Sequence, residues 1–321
     1  MQSLIPQFDF ERIILDPWTT DFTVFVWIMV MGFLVTATCG LVGNFLILRR
    51  MALVGDAISH SVLPGIAIAF LLTTSRRSGV MFLGALVAGI VTTILIELIH
   101  GKSRIKQDAA IGIVFSTFFA IGVILISLYA GQVDLDTDCV LYGEISFVVL
   151  EPFVRFGGVP IAPEPVFTMG IVAIAAGVLV LIFYKELLVS SFDPGLAASL
   201  GINPRVMHYA LMCGLSVVVV SAFRSVGAII VIAMLILPGA TAYLLTHRLP
   251  MMLLLSVAHS AMSAVLGLHL GIWLDCSMAG AMVVAGGGLF GIAWIFNPDR
   301  GLLWQLFRKK TEASAVELAE S

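Results

Sequence analysis

The sequence predicts an all-α fold, a polytopic integral membrane bundle of eight to nine transmembrane helices. Two observations predict it. Hydrophobic residues make up 60% of the 321 residues and charged residues only 12%, whereas a soluble domain carries about 25% charged residues. The apolar residues also form long stretches without Asp, Glu, Lys or Arg, each near the roughly 20 residues that a membrane-crossing helix needs. A soluble chain of this length would have too few polar side chains to cover its surface.

Nine such stretches follow one another along the chain. The second and the sixth are the weakest candidates, because each is short and contains a histidine, and the second also contains Pro64. The stretches are 22–48, 57–75, 78–96, 109–133, 165–184, 206–223, 225–246, 249–274 and 276–298. Together they predict one transmembrane domain over residues 22–298.

The Lys and Arg residues of the short loops predict the orientation in the membrane, because the inner side of a membrane protein carries the excess. With the N-terminus outside and the C-terminus inside, twelve basic residues fall on the inner side and five on the outer side. Residues 1–21 are then an outer segment and residues 299–321 an inner tail. The pair Arg76 and Arg77 runs against this bias.

Two connections between the predicted spans are longer than a turn. Residues 131–164 form an outer connection, and we expect a short surface helix in its middle, at 139–156. Residues 185–205 form an inner connection that has the pattern of one short helix. Its signals are Asp193 as N-cap, Pro194 at the first helical position and Gly201 as the C-terminal stop.

The stretch MALVGDAISHSVLPGIAIAF, residues 51–70, carries the strongest chemical signal. It places Asp56 and His60 four residues apart at the predicted inner end of the second span, and this spacing puts both side chains on one face of a helix. Ionisable groups at membrane depth are costly and therefore indicate function. A carboxylate with an imidazole suits manganese, iron or zinc.

Two ligands are too few for a selective metal site. A second pair from a symmetry-related subunit would give four ligands around a central axis. The residues also leave a second interpretation open, in which Asp56 caps the helix with Ser59 at its third position and His60 hydrogen-bonds inside the bundle.

At this point the sequence resembles a known family. GDAISHSVLPGIAIAF is similar to the signature of the permease subunits of bacterial metal-uptake ABC transporters, which import manganese, zinc or iron. Three further segments resemble the family in the same order. They are VDLDTDCVLYGEI (133–145) in the outer loop, SFDPGLAASLGI (191–202) in the cytoplasmic segment and VGAIIVIAMLILPGATA (226–242) in a late proline-containing helix. The four segments together span most of the chain from about residue 20 to residue 300.

The resemblance implies roles for individual residues. Asp56 and His60 match the family's metal-coordinating positions within the membrane. The segment from Ser191 to Gly201 matches the helix that docks into the partner ATPase and relays its motion. The residues that this match assigns to ATPase coupling are Ser191, Phe192, Asp193, Pro194 and Gly201. The metal is then the transported cargo, and no permanently bound cofactor is expected.

The resemblance also implies a location and partners. The location is the bacterial inner membrane, with residues 1–21 periplasmic and the tail cytoplasmic. The partners are a cytoplasmic ATP-binding subunit, a periplasmic metal-binding protein, membrane lipid and a second permease chain, either identical or a paralogue. Because the chain lacks GxxxxGK[ST], it has no P-loop, so we expect a transport subunit and not an enzyme. A net charge of −3 gives no indication of nucleic acid.

Two alternatives remain at this stage. One is a proton-coupled secondary metal transporter that uses the same two residues without an ATPase. The other is a membrane enzyme with an Asp–His metal centre, although no further ligands or nucleophile cluster in the sequence. The sequence also leaves open which metal is moved, and whether Cys139 and Cys276, both on the predicted outer side, form a disulfide.

Overall fold

A computed structural model describes residues 6–73, 78–129, 144–297 and 301 of the chain. Within these residues, eight helices are long and apolar enough to cross a membrane, and a ninth apolar helix is shorter. The predicted bundle of eight to nine helices is therefore confirmed. Arg76, Arg77 and Cys139 lie outside the described residues, as does the tail after residue 301.

The helices are numbered α1 to α12 in chain order. The apolar helices are α2 (Phe22–Leu48), α3 (Leu53–Thr73), α4 (Ser78–Lys102), α5 (Gln107–Tyr129), α6 (Glu164–Ile182), α9 (Pro204–Val226), α10 (Ala228–Leu245), α11 (Leu249–Leu274) and α12 (Met278–Phe296). The short helices are α1 (Asp16–Thr19), which follows a π-helical turn (Glu11–Leu15), α7 (Tyr184–Phe192) and α8 (Pro194–Ser199).

The connection between α5 and α6 differs from the prediction. A 3-10 helix covers Ile145–Leu150, and an antiparallel hairpin of β1 (Phe153–Phe156) and β2 (Val159–Pro163) follows it. The helix predicted over 139–156 is therefore wrong at its C-terminal end. The hairpin forms because Gly157 and Gly158 both have positive φ, at 61° and 90°, which is the backbone that a tight two-residue hairpin turn requires.

The connection between α6 and α9 forms two short helices where one was predicted. Asp193 separates α7 from α8 in an extended conformation, with φ −144° and ψ 92°, because a residue before proline avoids helical angles. The Asp193 carboxylate accepts a hydrogen bond from the Leu196 amide at 2.9 Å, so it is the N-cap that the sequence predicted. Pro194 begins α8, and Gly201, with φ 81°, follows the end of the helix.

Small residues bring the apolar helices close together. Gly65 of α3 and Gly84 of α4 face each other, and a Cβ on either would collide with the carbonyl oxygen of the other. Such contacts are typical of helices packed in a membrane, where close backbone approach replaces the hydrophobic effect. The outward side chains stay apolar; Leu181 of α6, for example, is 75% exposed. This surface is suited to contact with lipid tails.

Candidate functional site

Asp56 and His60 lie on the first two turns of α3. The helix begins at Leu53, so Asp56 is inside its first turn and is not its N-cap. The capping interpretation is therefore wrong. The hydroxyl of Ser59 donates to the Gly55 carbonyl at 3.0 Å and so bonds to its own helix.

The two side chains meet on the helix surface. His60 Nε2 lies 3.3 Å from Asp56 Oδ1, with the His60 side chain 20% and the Asp56 side chain 36% exposed. Between Val54 and Gly65, these are the two residues that are not buried. The rest of this half of α3 packs against neighbouring helices. The pair is therefore the one open, polar patch on α3 between Val54 and Gly65.

Two aromatic rings of α5 fix the His60 imidazole. Phe115 lies 5.1 Å from it between ring centroids, and Phe119 lies 5.8 Å away in an edge-to-face arrangement at 89°. His60 Nδ1 is buried and has no hydrogen-bond partner among the described residues. Because Nδ1 is enclosed, Nε2 on the side of Asp56 is the nitrogen left for a ligand.

The pair can supply part of a metal site but not a whole one. In the part of the chain that the structure describes, no three His, Cys, Asp or Glu side chains cluster closely enough to hold an ion. His259 and His269 bond to backbone carbonyls elsewhere, at 3.1 Å to Gly286 and 2.8 Å to Ile13. Any further His, Cys, Asp or Glu ligand for an ion at Asp56 must therefore come from outside the described residues.

The segment predicted to couple to an ATPase is formed by α7 and α8 and presents apolar side chains to its surroundings. Phe192 is 56%, Leu196 49% and Leu200 62% exposed, while Ala197 is fully buried and anchors the segment. Leu196 and Leu200 were not singled out in the sequence. Leucines within a short connection between two membrane spans are a sequence signal that could have found them.

The predicted coupling residues divide by what they do in the fold. Phe192 points outward, whereas Asp193, Pro194 and Gly201 shape the break and the two ends of α8. Ser191 points inward, where its hydroxyl accepts a hydrogen bond from Arg49 Nε at 3.0 Å. Arg49 is the C-cap of α2, so a polar contact ties the segment to the bundle.

Comparisons with known proteins agree with this architecture. The sequence model of the ABC 3 transport family matches residues 21–297. The manganese transport system membrane protein MntD of Bacillus subtilis is 45% identical over 282 residues, which cover 88% of this chain and 95% of that protein. The zinc transport system membrane protein TroD of Treponema pallidum is 43% identical over 276 residues, covering 86% and 75% of the two chains.

A solved structure has the same fold. A chain of PsaBC from Streptococcus pneumoniae in complex with Fab superposes with a TM-score of 0.73 at 36% identity, covering 91% of this chain and 98% of that chain. The family match covers all nine apolar helices, and the relatives align over most of their own length. This chain therefore belongs to the ABC 3 transport family, as its motifs predicted, and is a membrane transport subunit rather than an enzyme.

Proposed function

We propose that this chain is the permease subunit of an ABC importer that moves a divalent transition metal, manganese, zinc or iron, across the bacterial inner membrane. The observation that carries the proposal is the pair Asp56 and His60, the open polar patch on the first two turns of α3. Relatives named for manganese and zinc transport support this class of cargo. Membership of the family argues against a secondary transporter or a membrane enzyme.

The spacing of the two side chains suits one ion. Metal–ligand bonds of about 2.1 Å, at angles between octahedral and tetrahedral, separate neighbouring ligand atoms by about 3.0–3.4 Å. His60 Nε2 and Asp56 Oδ1 lie 3.3 Å apart. Both atoms can therefore bind the same ion with little movement, and the Phe115 and Phe119 rings hold the imidazole in the required orientation.

A second permease chain completes the site. Two carboxylates and two imidazoles, one pair from each chain, give the four ligands that the described part of this chain does not assemble alone. The second chain is an identical copy or a paralogue carrying the same pair. Such a site binds a partly dehydrated ion on the axis between the subunits, and it releases the ion when the two α3 helices move apart.

Coupling to ATP hydrolysis takes place through residues 191–201. The outward apolar side chains Phe192, Leu196 and Leu200 form the contact with the cytoplasmic ATP-binding subunit, and Asp193 holds α8 in shape. We therefore assign residues 185–205 and the tail to the cytoplasm and residues 1–21 to the periplasm, where a metal-binding protein delivers the ion. The excess of Lys and Arg on the same side supports this orientation.

Uptake in proteoliposomes that contain the assembled transporter tests the metal site. Replacing Asp56 by alanine removes a carboxylate from the site, and we expect uptake to fall to background; His60→Ala should do the same. Asp108→Asn is the matched control, because Asp108 is an exposed aspartate in the first turn of α5. Wild-type uptake by Asp56→Ala would refute the site.

A further inference from the structure

A cluster of polar side chains joins the 185–205 segment to three apolar helices. Arg49 Nε donates to Ser191 Oγ and Arg49 Nη2 to Ser190 Oγ, both at 3.0 Å. Arg49 Nη1 lies 3.4 Å from His208 Nδ1, and His208 Nε2 lies 2.6 Å from Glu97 Oε1. We refer to these five residues as the Arg49 clasp.

The charges of the clasp are consistent with a neutral histidine as the bridge. Arg49 Nη1–H donates to His208 Nδ1, and His208 Nε2–H donates to the Glu97 carboxylate, so every contact has one donor and one acceptor. Arg49 forms no salt bridge with a carboxylate among the described residues, and His208 links it by hydrogen bonds to the Glu97 carboxylate. Burial lowers the pKa of the Arg49 guanidinium.

The clasp contacts the chain on both sides of α8. Ser190 and Ser191 lie in the last turn of α7, and His208 lies at the start of α9, just beyond the segment. One guanidinium therefore contacts both sides of the loop that contains α8. A cavity of about 710 Å³ borders the clasp and leaves the segment room to shift against α4 and α9.

Arg49 also connects the clasp to the start of α3. Arg49 caps α2, and a turn of four residues, 49–52, leads directly into α3. The turn is tightly bonded: the Met51 amide donates to the Leu46 carbonyl at 2.8 Å, and the Val54 amide to the Met51 carbonyl at 3.1 Å. Met51 is also buried. A displacement of Arg49 therefore moves the first turn of α3, where Asp56 lies.

We propose that Arg49 is a positioning residue that transmits displacement of the 185–205 segment to α3, and so to the pair Asp56 and His60. The inference rests on the proposed function, because it takes this segment as the contact with the ATPase. In the resting transporter the clasp fixes the position of the start of α3 relative to the 185–205 segment. When the ATPase pulls on α8, Ser190 and Ser191 pull on Arg49, and the α2–α3 turn follows.

The test measures metal uptake and ATP hydrolysis in the same proteoliposomes, with the ATP-binding subunit and the metal-binding protein present. Arg49→Ala removes all three contacts of the guanidinium. We expect its complex to co-purify with the ATPase and to hydrolyse ATP, while metal moved per ATP falls about tenfold, as the loss of charge-assisted hydrogen bonds allows. Arg248→Ala, at an exposed arginine before α11, is the matched control and should keep the wild-type ratio.

Two further variants separate transmission from a loss of folding. The double change Ser190→Ala and Ser191→Ala keeps every charge and removes both acceptors for Arg49, together with the hydrogen bond that Ser190 Oγ donates to the Leu187 carbonyl within α7. It should lower the ratio in the same direction. Adding Arg49→Ala to the double serine variant should lower the amount of metal moved per ATP only a little further. Arg49→Lys keeps the charge with a single donor group and should recover part of the coupling.

The outcomes distinguish this inference from the proposed function. If Phe192→Asp leaves ATPase binding and uptake intact, the proposed contact between the 185–205 segment and the ATP-binding subunit is wrong. If Phe192→Asp prevents binding but Arg49→Ala and the double serine variant transport metal at the wild-type ratio, the clasp inference is overturned and the coupling contact stands. If Arg49→Ala fails to assemble, the double serine variant decides, since a wild-type ratio there also overturns the inference.

Discussion

Replacing Asp193 by alanine should loosen α8 without altering its outward face. The Asp193 carboxylate accepts the Leu196 amide at 2.9 Å as the N-cap of a helix of only six residues. Loss of an aspartate cap costs about 1 kcal/mol, which is a factor of about five in the balance between folded and frayed states. A helix this short is marginally stable on its own, so a loss of this size should measurably increase the fraction of time that α8 is frayed.

Hydrogen exchange of the purified complex measures this effect. The amides of Ala197 and Leu200 are bonded within α8, to the carbonyls of Asp193 at 3.0 Å and Leu196 at 3.1 Å, and we expect both to exchange about fivefold faster in Asp193→Ala. Asp193→Asn is the matched variant, because asparagine caps a helix as well as aspartate does. It should restore both protection and transport.

Equal protection in wild-type protein and Asp193→Ala would refute the capping role. If Asp193→Asn restores the protection of α8 but not transport, helix capping is not the function of Asp193 in transport. The charge of Asp193 would then matter to the partner. The two results separate the shape of α8 from the electrostatics of its surface.

Two further predictions concern the metal site and the packing of α3. Metal uptake should decrease at acid pH, because a protonated imidazole cannot coordinate a metal; uptake that rises toward acid pH would contradict a site built on His60. Gly84→Val should lower the stability of the bundle by about 1–3 kcal/mol, since a larger side chain has no room against Gly65. Thermal unfolding in detergent measures this loss, and Gly112→Ala, with open space around its Cα, should unfold like wild-type protein.

The apolar helices could be predicted from sequence because their signal is local. A stretch of about 20 residues without charge has few structures other than a membrane helix available to it. The start of α3 was placed four residues too late, at 57 and not at Leu53, because a charge-free stretch cannot include Asp56. A carboxylate in a first helical turn is nevertheless favourable, since it faces unpaired amides and the positive end of the helix dipole.

The hairpin was missed although its signal was present. Gly157 and Gly158 form a turn doublet, but the surface helix was predicted to end just before them, at residue 156, and no strands were predicted on either side of the doublet. Only part of the metal site could be predicted from the sequence. Asp56 and His60 share a helix face by spacing alone, whereas the aromatic rings that hold His60 belong to a different helix.

The Arg49 clasp could not have been predicted from one sequence. Arg49 and His208 are 159 residues apart, and His208 and Glu97 are 111 residues apart. No local spacing relates such residues, and each on its own fits an ordinary charge at the end of a membrane helix. Their meeting depends on how α2, α4, α7 and α9 pack, which only the three-dimensional structure reveals.

We propose that Asp56 and His60 form half of a metal site shared between two permease chains, and the metal content of the complex tests this proposal. The most direct measurement is the amount of manganese bound per purified transporter complex at saturation, counted by elemental analysis. We expect one ion in the membrane site for every two permease chains, and none when either Asp56 or His60 is replaced by alanine. One ion per chain, or full occupancy in both variants, would contradict it.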